Sequence, residues 1–321
     1  MFMVYLTFKT INNKRYKYLV KSVRMPDGTP KKISKLIKSR KPLSYLKNQY
    51  GTFFLAEEKR LHANYALGKF KLNYIFSKKE VESIEGIKVD YRNLIRKLNK
   101  AQIKDMFDRF TANFTYETNA IEGNSLTLKD VSIVIFENSI PKGKYLREIY
   151  ETRNSRIAVD KIFHKGFGIS HKSIIRIHKI LMKDIDVRAG YKKLPNFIVG
   201  SKVKTTPPER VEEEMGKLME WYNSNLGKMH PLELVAIFHG RFEHIHPFED
   251  GNGRVGRLLV NVILINNGYP PLIIRKTLRK SYMAALSAFD FGYGEKLKRF
   301  FLEKYKDTYR KFFEVYVKYA E

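Results

Sequence analysis

One stretch constrains this chain more than any other: His246-Pro247-Phe248-Glu249-Asp250-Gly251-Asn252-Gly253-Arg254-Val255-Gly256-Arg257. Upstream, Pro231 opens an apolar-periodic segment through Leu232, Val235, Ala236, His239 and Phe242, which predicts a helix. That helix has to stop at Pro247, because proline disfavours the α region for the residue before it. Downstream, Leu258 to Ile265 is almost continuously apolar and runs into Asn266-Asn267-Gly268, a helix C-terminal signal. The chain is thereby held to helix, tight loop, helix, with Gly251 and Gly253 where the second helix begins.

That geometry suits an anion. Free backbone N–H groups at a helix start, approachable because glycines carry no side chain, make an anion site. Arg254 and Arg257 are three apart, share one helix face and can grip phosphate oxygens with forked donors. Asp250 is a hard oxygen ligand suited to Mg2+, which binds through one or two carboxylates plus substrate phosphates. His246 is the residue here able to act as a general base near neutral pH. Together they describe transfer of a phosphorus group to a hydroxyl. A plain Gly-rich helix connection would explain neither the Gly-Asn-Gly nor the arginine spacing.

The string resembles the signature of the Fic family, histidine-x-Phe-x-acid-Gly-Asn-Gly-Arg-x-x-Arg, and matches it at every defined position. The resemblance implies a mainly α-helical enzyme, a Fic-type helical bundle, that transfers AMP from ATP to a Ser, Thr or Tyr hydroxyl of a protein. Carried over, His246 would deprotonate the target hydroxyl and Asp250 would hold Mg2+. Gly251, Asn252, Gly253 and Arg254 would hold the α- and β-phosphates, and Arg257 the γ-phosphate.

Farther upstream, Leu94, Leu98, Ile103, Phe107, Phe110 and Phe114 form a loose helical stripe. Gly123-Asn124 is a stop, and Thr127 with Asp130 resembles a capping box opening the next helix. Glu122 is then an acid in the last turn of a helix, where the dipole disfavours it. Thr118-x-x-x-Glu122-Gly123 resembles the inhibitory motif of Fic proteins, Ser/Thr-x-x-x-Glu-Gly/Asn, in the subgroup that carries the inhibitory helix N-terminal to the core. By that resemblance Glu122 pairs with Arg257 and takes the cation a γ-phosphate needs.

Between inhibitory motif and signature, Leu146 to Ile162 and Ser173 to Ile185 read as helices. Asn196-Phe197-Ile198-Val199 and Lys202-Val203-Lys204-Thr205 flank Gly200-Ser201, a hairpin signal. By resemblance this β-hairpin, with Asn196, Phe197, Ile198, Val199 and Gly200, is the Fic flap, able to hold an extended target segment by strand addition. Tyr191-Lys192-Lys193 stands near its start, where the family pattern leads one to expect an arginine. Pro207-Pro208 precedes an amphipathic helix carrying Val211, Met215, Leu218, Met219 and Tyr222. Thr277 to Glu321 reads as two more helices.

The chain has 321 residues, no cysteine and a formal net charge of +28. Disulfides, thiolate metal sites and a cysteine nucleophile are excluded. No stretch is long and apolar enough to span a membrane and the start lacks a basic n-region, so no membrane association and a cytoplasmic location are expected. The charge favours acidic partners, nucleic acid and nucleotides among them, although a lysine-rich solvated surface is the preferred reading. It is steepest at the start, where thirteen Lys and Arg face only Asp27 within fifty residues. Val4 to Phe8 and Arg15 to Val20 are β-prone runs around Asn12-Asn13, predicting a hairpin, and Pro26-Asp27-Gly28 a turn.

The expected organisation is a small, basic, partly β region over 1–55 and a helical Fic region over 56–321. The latter holds the inhibitory helix near 113–123 and the catalytic core at about 145–290. Other outcomes stay open: removal of AMP, another nucleotide or phosphate donor, or nucleic-acid binding by the basic region. A homodimer is left open by the resemblance and specified by no residue pattern. Asp290-Phe291-Gly292 lacks every companion kinase motif, and His244-x-His246 lacks zinc partners at known spacings.

Overall fold

Asn12 and Asn13 both take positive φ, 49° and 58°. Asparagine tolerates this conformation, and it matches a hairpin turn to the twist of its strands. The hairpin joins β1 (Val4–Ile11) to β2 (Lys14–Arg24), and β3 (Pro30–Leu36) pairs antiparallel on the other side of β2. Pro26-Asp27-Gly28 is a turn, closed by Met25 N–H donating to the Thr29 carbonyl. Helices α1 (Leu43–Gln49), α2 (Gly51–Lys69) and α3 (Lys78–Lys97) follow. This computed structural model describes residues 4–163, 167–188, 190–196 and 204–319.

Two units are resolved, Met1–Arg96 and Lys97–Glu321. In the first, alternate residues of the sheet (Leu19, Val23 and Ile33, with Val4 and Leu6) meet Leu46 and Phe54 in one core. Glu58 is buried in α2, with Lys21 and Arg92 each 2.6 Å away, so its charge is paired from two sides.

The second unit is helical: α4 (Lys100–Ile121), α5 (Leu128–Phe136), α6 (Leu146–Phe163), α7 (His171–Met182), α8 (Val211–Asn225), α9 (Pro231–Ile245), α10 (Asn252–Asn266), α11 (Arg279–Asp290), α12 (Gly294–Thr308) and α13 (Glu314–Tyr319). At its centre α9 packs against α8, α10, α11 and α12, while α10 also meets α4, α6 and α7. Helices covered on nearly all sides have to be apolar nearly all round. The run from Leu258 to Leu264 satisfies this, with its one polar member, Asn261, hydrogen-bonded through its side chain to both N–H and C=O of Leu272. No helix among the described residues is long and apolar enough to cross a membrane.

Several boundaries differ from the sequence reading. The stripe from Leu94 to Phe114 spans two helices, because Asn99 and Gln102 form a reciprocal capping box that starts α4 afresh. The first helices begin at Leu43 and Gly51 rather than near Ala56. The α7 helix ends at Met182, where Asp184 turns to φ 60° and the Ile185 and Asp186 N–H groups fold back onto the Met182 carbonyl. Near the end of the chain, α12 continues through a π turn (Tyr309–Phe313) into α13, a third helical segment where two were expected. The Thr127–Asp130 capping box forms as read, with Thr127 N–H donating to Asp130 Oδ2 and Asp130 N–H to Thr127 Oγ1. Within the expected hairpin, Phe197, Ile198, Val199 and Gly200 lie outside the described residues.

Candidate active site

The signature lies where α9 ends and α10 starts. His246 caps α9 with φ 52°, ψ 60°, a left-handed conformation uncommon for a residue with a Cβ, and its N–H closes onto the Phe242 carbonyl. This turn aims the imidazole out of the helix path. His246 Nδ1 is 3.3 Å from the Glu243 carbonyl. A carbonyl only accepts, so Nδ1 carries the proton and Nε2 keeps its lone pair. Burial pushes the imidazolium down to about 4 against the opposing Glu243 hydrogen bond, and the neutral ring persists at pH 7.

The loop between the helices is braced from three directions. Asn252 accepts from Phe248 N–H and donates to the Phe248 carbonyl, and Asn196 Nδ2 donates to that same oxygen at 2.7 Å. The Phe248 ring lies flat on His178, with centroids 3.8 Å apart. Lys192 N–H donates to the Pro247 carbonyl, and its ammonium bonds Asn196 Oδ1 and Thr205 Oγ1. Burial lowers that ammonium to about 8. The side chain of Asn252 is thus committed to the loop, leaving its backbone to face a phosphate. Gly251 takes φ 82° as N-cap of α10, and a Cβ there would come 3.1 Å from Met182 Sδ.

Both arginines are almost wholly buried, and among the described residues each keeps N–H groups without a hydrogen-bond partner: Nε and Nη1 of Arg254, and Nη1 of Arg257. Buried guanidinium N–H groups left over in this way fit an anion better than a structural role. Arg254 is 3.4 Å from both Glu151 and Asp250. Arg257 is held by α4: its Nε donates to Thr118 Oγ1 at 2.8 Å and its Nη2 to the Thr118 carbonyl at 2.9 Å and Glu122 Oε1 at 2.6 Å. Glu122 is the C-cap of α4, and Gly123 follows at φ 102°. A Cβ on Gly253 would meet Glu122 Oε1 at 2.3 Å and Arg257 Nη1 at 2.8 Å. The Glu122 carboxylate therefore stands against the glycine start of α10.

Asp250 is 40% exposed at the side chain, with Oδ2 on Arg147 Nη2 at 2.7 Å and Oδ1 on Gly251 N–H at 2.6 Å. Among the described residues no group of three His, Cys, Asp or Glu is placed to hold a metal. One accessible carboxylate beside a phosphate cradle does fit Mg2+, which keeps several waters and shares its shell with substrate phosphates. His244, by contrast, is engaged with Asp290 at 2.9 Å.

Several participants escaped the sequence reading. Beneath Arg257, His239 Nε2 is 2.5 Å from the Tyr282 hydroxyl and 3.8 Å from Glu243 Oε1. Burial pushes the Glu243 carboxyl up to about 8 and His239 down to about 3, so both are neutral at pH 7. Burial opposes the Arg257 charge, but the Glu122 carboxylate outweighs it and the pKa of Arg257 is raised. His239 and Glu243 are one helical turn apart on α9. That spacing is visible in the sequence but does not reveal that both point under Arg257. Gly256 leaves room for them, since a Cβ there would lie 2.5 Å from Glu243 Oε1.

A helical scaffold thus presents a neutral histidine beside a glycine-rich turn suited to an anion. The Fic/DOC family profile matches residues 168–264. Protein adenylyltransferase fic-1 of Caenorhabditis briggsae is 33% identical over 188 residues, covering 56% of this chain and 36% of its own length. Protein adenylyltransferase Fic of Nematostella vectensis is 33% identical over 183 residues, 55% of this chain and 43% of its own length. The chain thus spans well under half of these relatives. Among solved structures, a Fic-domain-containing signaling protein from Bacteroides thetaiotaomicron superposes with a TM-score of 0.63 at 26% identity, covering 72% of this chain and 96% of that one. Fic-1 from Caenorhabditis elegans gives 0.65 at 26% identity, over 74% and 71%.

Proposed function

We propose that this chain is a protein adenylyltransferase that moves AMP from ATP to a hydroxyl side chain of a target protein, and that the conformation described is its self-inhibited form. The observation that carries the second half is the Glu122–Arg257 contact of 2.6 Å, set against the glycines of the cradle. The first half rests on the neutral His246 beside leftover arginine N–H groups, and on the relatives named above.

In the reaction, the target oxygen attacks the α-phosphorus of ATP. An O–P bond forms as the bond from that phosphorus to the β-bridging oxygen breaks, and pyrophosphate leaves. His246 Nε2 takes the hydroxyl proton, while the bond from Nδ1 to the Glu243 carbonyl keeps the ring in the accepting tautomer. The N–H groups at the start of α10, with Arg254, stabilise charge growing on the phosphates. Arg257, once freed of Glu122, receives the γ-phosphate. Asp250 is the residue to hold Mg2+, which would neutralise phosphate charge. Asn196 and Lys192 tie the base of the expected flap to the catalytic loop, and the catalytic core is assigned to about 145–290.

Self-inhibition follows from competition for one guanidinium. A charge-assisted hydrogen bond contributes about 1.5–3 kcal/mol, so removing Glu122 is expected to raise transfer roughly 10- to 100-fold. Wild type, Glu122→Gly and His246→Ala are incubated with Mg2+ and ATP labelled on the α- or the γ-phosphate. Label from the α-position should appear on protein, increase in Glu122→Gly and vanish in His246→Ala. Incorporation of γ-label, or α-label that ignores both substitutions, would refute the proposal.

A further inference from the structure

The N-terminal sheet has a second face that adenylyl transfer does not use. Strand register places Tyr5, Thr7, Lys9 and Ile11 of β1 on it, opposite Val20, Tyr18, Tyr16 and Lys14 of β2; Val20 is buried and Tyr5, Thr7, Tyr16 and Tyr18 are half-buried, while Lys9, Ile11 and Lys14 are exposed. Ser22 and Arg24 continue it, and Lys32, Ser34 and Leu36 of β3 complete it. The other face meets the helices through Leu6, Leu19, Val23 and Ile33. No acidic residue lies on the outward face.

Its charge is uncompensated. Within the first fifty residues the one acid, Asp27, accepts both the N–H and the hydroxyl of Thr29 in its own turn. Lys9, Lys14, Arg24 and Lys32 are exposed and form no ion pair among the described residues. Charge is also concentrated here: residues 1–96 hold 22 Lys and Arg against 7 Asp and Glu, while the other 225 residues hold 39 against 26.

Edge lysines commonly serve to stop sheets pairing with one another. That accounts for Lys9 and Lys32 on β1 and β3. Lys14 and Arg24, at the two ends of β2 beyond its pairing with β3 and with β1 respectively among the described residues, can serve in the same way, but edge protection calls for no aromatic rings between the cations. Tyr16 and Tyr18 sit two apart on the same strand and so on the same face. Lys9 Nζ lies 5.2 Å from the centre of the half-buried Tyr18 ring, so that cation has to swing aside before a base can stack there. Rings interleaved with mobile cations on a sheet meet the two requirements of an extended polyanion with planar bases: bases stack on the rings while the displaced cations turn to the phosphates.

We propose that this outward face binds single-stranded nucleic acid. The test uses the full chain and fluorescein-labelled 20-mers of U and of dT, with a mixed-sequence duplex and vesicles containing anionic lipid as competitors, read by anisotropy from 50 to 200 mM salt. Single strands should bind with a steep salt dependence, and the RNA and DNA arms identify the preferred sugar. Reversing four cations in Lys9→Glu/Lys14→Glu/Arg24→Glu/Lys32→Glu should weaken binding at least tenfold and reduce the log–log salt slope by about 3, at roughly 0.7 per phosphate contact. Tyr16→Leu/Tyr18→Leu should weaken binding at least fivefold with the slope kept, and Tyr16→Phe/Tyr18→Phe should restore it. Circular dichroism and retained α-label incorporation identify variants that stay folded. Absence of binding at 50 mM salt, duplex or vesicles competing as well as single strands, or folded charge-reversed protein that binds normally would each overturn the proposal.

Discussion

Arg257 concentrates the chemistry of this protein in one side chain. Two of its nitrogens are spent on Thr118 and Glu122, and Nη1 is left buried without a hydrogen bond among the described residues. Space beside it exists because position 253 is glycine. Gly253→Ala places a methyl 2.3 Å from the Glu122 carboxylate and 2.8 Å from Arg257 Nη1. It should therefore lower α-label incorporation at least tenfold, even in the Glu122→Gly background where only the first clash is relieved. Incorporation equal to that of Glu122→Gly alone would show that phosphate does not approach this backbone. His246 offers a second check. With its imidazolium at about 4 through burial, activity of Glu122→Gly should lack an inflection near pH 6.5 and decline only as pH falls toward 4. An acid limb centred near 6.5 would mean that the ring is solvated when it acts. The signature residues were legible because glycines, arginines and histidine carry distinct chemistry at fixed spacing. Glu243 and Tyr282 were not, since a Glu and a Tyr on amphipathic helices usually face water.

At the scale of elements, the Glu122–Arg257 contact depends on where α4 ends. Its last turn would be a poor place for Glu122, given the helix dipole, without cations from other segments. Arg257 supplies one at the carboxylate, and Arg279 Nε donates to the Ile121 carbonyl at the helix end. Thr118, one turn earlier, accepts from Arg257 and sets its angle. Thr118→Val preserves shape but strands the buried Nε donor at a cost of ~1–3 kcal/mol. It should raise α-label severalfold, less than Glu122→Gly does, and lower the melting temperature. An unchanged label with a lower melting temperature would reduce Thr118 to a structural role. The start of α4 was missed for a simple reason: the apolar stripe keeps helical spacing across Asn99, and a cap interrupts backbone geometry without interrupting periodicity.

Over the whole molecule, buried titratable groups set the pH dependence of stability. Burial pushes His62, His178 and His246 to about 4 and His239 to about 3. Unfolded histidines protonate near 6.5, so between pH 6.5 and 4 the unfolded chain binds more protons and stability falls as pH drops. Glu243 acts in the opposite sense. Its folded carboxyl stays protonated up to about 8, the unfolded one ionises near 4.5, and stability falls as pH rises across that window. The melting temperature should therefore peak near pH 6.5, and Glu243→Gln should flatten the decline from there to pH 8. A decline of equal slope in that variant would locate the alkaline loss elsewhere.

The sequence alone determined the helix–loop–helix at residues 231–266, the N-terminal hairpin and the Thr127 cap. Each is a local consequence of side-chain type, turn propensity or apolar period, and needs no knowledge of distant contacts. Tertiary structure decided what those pieces touch. Thr118 and Arg257 are 139 positions apart, and only the packing of α4 on α10 puts the hydroxyl 2.8 Å from the guanidinium. Packing likewise buries Glu243 and His239 under that same arginine and leaves guanidinium N–H groups without hydrogen bonds among the described residues. Burial and unmet hydrogen bonds are properties of a three-dimensional arrangement. Neither the pKa values nor the Glu122–Arg257 geometry can be read from the order of residues.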